Sequence, residues 1–168
     1  TDMAIGISLL FGIHLPINFN APYQATNIIE FWRRWHITLS RFLKDYVYIP
    51  LGGNKVDSKA RLYFNLWTVF LVSGFWHGAS WKFVFWGFAH GIALGLHKLI
   101  KNYLPDQFLM KRIGWFTTFL FVSFCWIFFR SESITDAFGF IGRIFTDFSC
   151  LSYSHPMGYR MIDYYILI

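Results

Sequence analysis

The chain has 168 residues, of which 55% are hydrophobic and only 14% charged, against about 25% charged in a typical soluble domain. That balance, with a positive mean hydropathy, excludes an ordinary aqueous domain and makes a bilayer the expected solvent. The 21 Phe and 8 Trp suit lipid contact and interfacial belts, and a formal charge of +6 is explained by anionic head groups beside apolar spans, so no nucleic-acid partner is expected.

Residues 4–19, AIGISLLFGIHLPINF, are apolar but short for a span of about 20 residues, and Pro16 ends or kinks a helix there, so this reads as the end of a span. NAPYQA then reads as a loop, and Asn27 with Glu30 three residues later forms a helix cap. From 27 to 48 the apolar residues Ile28, Trp32, Trp35, Leu39, Phe42, Leu43 and Tyr46 recur at steps of three and four, with Arg33, Arg34, Arg41 and Lys44 between them. This predicts one amphipathic helix lying on or re-entering the membrane, closed by Pro50 and a basic, flexible loop through Gly52, Gly53 and Asn54.

Residues 62–81 and 83–104 read as a helix pair meeting near Gly78 to Lys82. Basic loops at 54–61 and 98–112 flank the pair, so the positive-inside rule puts both on the cytoplasmic side and requires a hairpin or a re-entrant pair. Residues 113–129 form a further span, and Ser133 with Asp136 caps a surface helix on the opposite side. The chain opens with Thr1 and ends in MIDYYILI, whose residues 161–168 read as the start of another span, so a fragment of a longer all-α, polytopic membrane protein is expected. Cys125 and Cys150 have no metal-type spacing, and neither a metal site nor an obligatory disulfide is expected.

His77 lies in SGFWHGASW, without a formal charge nearby, and an ionisable group at membrane depth is a functional candidate. The competing reading is a neutral imidazole bonded to a neighbouring helix. His36 sits on the amphipathic stretch, where a solvated interfacial role is the plainer reading, and His90 and His97, seven apart, are read as packing or snorkelling residues. Arg33, Arg34, Arg41 and Lys44 could clamp phosphates, although head-group anchoring explains each singly. No GxxxxGK[ST], GxGxxG or GxSxG motif occurs.

Together, IIEFWRRWHITLSRFLKDYVYIPLGGNK and LVSGFWHGASWKFVFWGFAHGIAL resemble the membrane-bound O-acyltransferases, in particular the bacterial branch containing alginate O-acetyltransferase. The resemblance implies transfer of an acyl group, acetyl in that branch, from a cytoplasmic thioester donor such as acetyl-CoA or an acyl carrier. The acceptor would be a hydroxyl of an exported polysaccharide such as alginate, and no bound cofactor is implied. It implies His77, in WHG, as general base and His36, in RWH, at a position usually histidine or asparagine, as the group polarising a reactant. Arg33, Arg34, Trp35, Ser40, Tyr46, Trp76 and Trp81 become candidate substrate-binding residues, with the cations toward the cytoplasm. Implied partners are membrane lipids, the acyl donor and a periplasmic or extracellular acyl-accepting protein or polysaccharide, at a bacterial inner membrane. The competing classes are a histidine-containing transporter and a non-catalytic scaffold. The apolar runs offer no acidic residue to complete a proton relay.

Overall fold

The computed structural model describes residues 2–103 and 108–146, all of whose regular elements are helical. The predicted start of a span at 161–168 lies outside them. Helix α1 covers Asp2–Leu10, α2 Ile28–Arg34, α3 Ile37–Leu43, α4 Lys59–His77, α5 Trp81–Ile100, α6 Phe108–Arg130 and α7 Ile134–Thr146. Helices α5 and α6 are long and apolar enough to cross a membrane.

The α4–α5 hairpin is the frame. Its turn is only Gly78 to Ser80, and Gly78, at φ +149°, closes α4 by donating its N–H to the Phe75 carbonyl (3.2 Å). A side chain there would face both an unfavourable backbone region and the Phe83 ring, 2.9 Å from where its Cβ would stand. Glycines at 87, 91 and 95 form a four-residue repeat along α5 that faces α4. A Cβ on Gly87 would strike the Phe70 carbonyl, one on Gly91 would stand 3.2 Å from Trp67, and one on Gly95 3.5 Å from Tyr63. Small residues at that spacing let two backbones approach closely where water supplies no drive for helix association. The partner positions descend along α4 as the glycines ascend along α5, so the pair is antiparallel.

The stretch from Asn54 into α4 and the end of α5 from Lys98 to residue 103 therefore lie at one end, where Lys98 Nζ donates to Asn54 Oδ1 (3.1 Å). The loop predicted as flexible is pinned there. Buried Asn65 donates from Nδ2 to the carbonyls of Leu51 (3.1 Å) and Gly53 (3.3 Å), and Tyr48 donates its hydroxyl to Asn54 (2.8 Å). At the other end Lys82 Nζ donates to the Ser131 carbonyl (2.6 Å), tying the start of α5 to the end of α6. Ser133 caps α7, accepting from the Asp136 N–H (3.1 Å) and donating to its carboxylate (2.6 Å).

Several predicted boundaries change: α4 runs from Lys59 to His77, α5 from Trp81 to Ile100, and α6 begins at Phe108, inside the stretch expected as a basic loop at 98–112. The span end expected over 4–19 is helical only to Leu10, after which Gly12 turns the chain at φ +72°. The single amphipathic helix expected over 27–48 is broken at Trp35 and His36 into α2 and α3, and a π turn follows over Lys44–Tyr48. Asn27 caps α2 by accepting the Glu30 N–H (2.9 Å), while the Glu30 carboxylate receives the Thr26 N–H (2.8 Å) and hydroxyl (2.9 Å). The core between α2, α5 and α6 gathers buried Ala25, Ile28, Phe31 and Val122, flanked by Trp32, Trp35, Phe121 and Trp126.

Candidate functional site

His36 stands at the break between α2 and α3 with φ +43°, in the left-handed region. His and Asn are among the few residue types enriched in that conformation. Its side chain caps nothing. The capping is done from residues 18 to 20 instead: Asn18 Oδ1 accepts the Thr38 N–H (3.0 Å) and the Thr38 hydroxyl (3.0 Å), and the Asn18 carbonyl accepts the Ile37 N–H (2.9 Å). The Asn20 N–H donates to the Arg34 carbonyl (2.9 Å). With its backbone groups satisfied from outside, the break is over-determined, and the imidazole is left available.

One turn before the break Trp32, and one turn after it Leu39 and Ser40, line a cavity of about 150 Å³ with Val69, Phe70 and Ser73 of α4. The two short helices thus flank the same stretch of α4, and the break reaches toward the end of that helix. There the His36 ring lies 6.1 Å from the Trp76 ring, edge to face, and the His77 ring 4.9 Å from the same indole. His77 is the next residue after Trp76, so the contact that joins the two stretches, 41 positions apart at their histidines, is that of His36 with Trp76. His77 is further enclosed by Phe129 (4.9 Å), Trp86 (5.2 Å) and Phe83 (6.0 Å), and His36 by Phe19 (5.7 Å). Burial lowers the proton affinity of His36 below the ordinary histidine range, and its Nδ1 is buried without a hydrogen-bond partner.

The other candidate residues divide. Trp35 stacks on Phe31 (5.6 Å) and touches Phe19 and Trp126, forming the wall behind His36. Ser40 braces the break, donating its hydroxyl to the Trp35 carbonyl (3.3 Å) and its N–H to that of His36 (2.9 Å). Arg34 is structurally engaged, paired with Glu30 at 2.7 Å and donating to the Asn20 carbonyl (3.4 Å). Arg33 is exposed and makes no such pair. Tyr46 is exposed with Phe42 as its ring partner (4.7 Å), and Trp81, 78% exposed, touches neither histidine. Arg33 and Arg34 lie beside the break, whereas Lys44 begins the π turn that leads to the end pinned by Asn65, so the cations do not form one cluster. Sequence reasoning missed Asn18, whose contact spans 20 positions, and the Glu30 to Arg34 pair, whose i,i+4 spacing was readable.

Apolar helices of spanning length, with two half-buried histidines near one another at the closed end of a hairpin, fit an integral membrane protein with an accessible imidazole pair. Residues 1–135 match the model of MBOAT, the membrane-bound O-acyltransferase family, and the chain belongs to that family. It is 56% identical over 138 residues to the peptidoglycan O-acetyltransferase of Helicobacter pylori, covering 81% of this chain and 26% of that protein. It is 44% identical over 147 residues to the "Probable alginate O-acetylase AlgI" of Pseudomonas syringae, covering 87% and 28%. A teichoic acid D-alanyltransferase of Streptococcus thermophilus is 34% identical over 137 residues, covering 69% and 33%. The chain thus spans about a quarter to a third of the length of these relatives.

Proposed function

We propose that the protein containing this chain is an O-acyltransferase of the bacterial inner membrane. It moves an acetyl group from a cytoplasmic thioester, acetyl-CoA or an acyl carrier, to a hydroxyl of an exported polysaccharide. The observation that carries the reading is the contact of His36 with Trp76, which brings one histidine motif against the residue preceding His77 in the other. An imidazole nitrogen of His77 takes the proton of the acceptor hydroxyl as its oxygen attacks the thioester carbonyl. The ring N–H of His36 donates to the oxyanion of the tetrahedral intermediate. Collapse breaks the carbon–sulfur bond, and the departing thiolate recovers the proton from His77. The aromatic enclosure of Phe83, Trp86 and Phe129 keeps water from competing with the acceptor hydroxyl. The 56% identity to a peptidoglycan O-acetyltransferase supports a cell-wall glycan as acceptor over alginate. Arg33, the unpaired cation beside the break, is the residue best placed to meet an anionic group of either substrate.

His77→Ala in the full-length protein is expected to abolish transfer of labelled acetyl to purified glycan while membrane insertion stays normal. Wild-type turnover by that variant would remove the general base from the mechanism.

A further inference from the structure

His90 is fully buried in the middle of α5, one turn beyond Trp86 and away from the two histidines just described. Its ring is sandwiched between two phenylalanines of different helices, Phe31 of α2 (6.5 Å, 12° between planes) and Phe70 of α4 (6.3 Å, 17°). Phe121 of α6 presents its ring at 5.3 Å. A phenylalanine would satisfy all of these packing contacts. What it would not do is accept a hydrogen bond, and His90 Nδ1 accepts one from Trp32 Nε1–H (3.3 Å), across 58 positions of sequence. Indole nitrogen can only donate, so this bond fixes the imidazole as the neutral tautomer protonated at Nε2.

Trp32 stands four residues before His36, on the helix that delivers it. Trp86, 4.7 Å from His90, lies against His77 at 5.2 Å. Trp32 and Trp86 also meet each other, at 5.7 Å. One imidazole therefore holds, through two tryptophans, the elements that carry both members of the histidine pair. We infer that His90 is a positioning residue for acyl transfer: its bond to Trp32 sets where α2 delivers His36 relative to His77. This inference rests on the acyl-transfer reading above. Reacting groups shifted by about 1 Å can lose on the order of 10²-fold in rate, so a bond that fixes helix placement has leverage without touching substrate.

The test uses the full-length protein in membranes, reading base-labile acetyl transferred to cell-wall glycan per inserted molecule, with melting temperature measured alongside. His90→Phe keeps the ring and loses the acceptor; His90→Asn restores an oxygen near the Nδ1 position; Trp32→Phe removes the donor. His90→Phe is expected to lose about tenfold or more in rate at a melting temperature no lower than that of His90→Asn, which recovers most of the rate. Trp32→Phe with His90→Phe should be no slower than the slower single variant. A His90→Phe protein at the wild-type rate, equal losses in His90→Phe and His90→Asn, or multiplied losses in the double variant would each overturn the inference. Should His90→Phe fail to insert, Trp32→Phe decides alone, and wild-type transfer by it overturns the inference. Wild type and His77→Ala run in the same assay keep the two readings apart: no acetyl transfer by wild type brings down the acyltransferase reading, whereas an active wild type with an indifferent bond brings down only this one.

Discussion

The residue on which the site turns is Asn18, which carries no chemistry of its own. Its side-chain oxygen and its carbonyl together receive three donors from Ile37 and Thr38, holding the first turn of α3 and with it the left-handed backbone of His36. Asn18→Ala removes a cap of about 1 kcal/mol and frees the break to relax into helix, swinging the imidazole off Trp76. The expected result is a kcat loss well beyond what the small fall in melting temperature would suggest, with the KM for the thioester donor unchanged. Asn18→Asp, which keeps the acceptor, should retain most of the rate. His36 and His77 drew notice in the sequence because their motifs surround them closely. Asn18 did not, because a cap supplied from 20 residues away leaves no local pattern.

At the scale of elements, the long apolar runs free of formal charge pointed to the stretches that fold as α4, α5 and α6, although their ends lie up to five residues from those expected, and the Ser133 cap of α7 was readable from its spacing to Asp136. Periodicity failed at 27–48 because the apolar residues on either side of the break keep the same three-and-four spacing, so nothing in the pattern records that the chain stops being helical at His36. The glycine repeat of α5 was there to be read at 87, 91 and 95, and it states which face of that helix meets α4. Gly87→Ala places a methyl against the Phe70 carbonyl, and overpacking of that kind costs about 1–3 kcal/mol. Gly139→Ala on α7, where a Cβ meets nothing within 4 Å, is expected to be neutral or to stabilise by up to about 1 kcal/mol. Thermal melting of the two variants in detergent checks the contrast, which equal melting temperatures would refute.

For the whole molecule, the antiparallel pair puts the loops at 54–61 and 98–103 at one end and the histidine pair at the other. With the positive-inside rule, a cysteine introduced at Asp57 and one at Lys101 should both be labelled by an impermeant thiol reagent only from the cytoplasmic face. Labelling of the two from opposite faces would break the hairpin topology. Along the chain the cations are spread out: Lys44 begins the π turn, while Arg33 and Arg34 end α2 beside His36. Arg34 is needed there by Glu30, whose carboxyl the flanking bonds from Thr26 and Arg34 hold below its usual range despite the opposing effect of burial.

The indoles of Trp86 and Trp126 lie stacked, with ring centres 6.0 Å apart and planes 29° from parallel. Two such chromophores fixed at that separation couple their excited states, and the coupling exists only while α5 and α6 are docked. Trp126 also meets Trp35 (5.0 Å) and Trp86 meets Trp32 (5.7 Å), so a bisignate far-ultraviolet circular dichroism signal lost in both Trp86→Phe and Trp126→Phe but kept in Trp32→Phe and Trp35→Phe would report docking of the hairpin on α6, in detergent or in lipid and without any substrate, giving this membrane protein an intrinsic optical gauge of its own assembly.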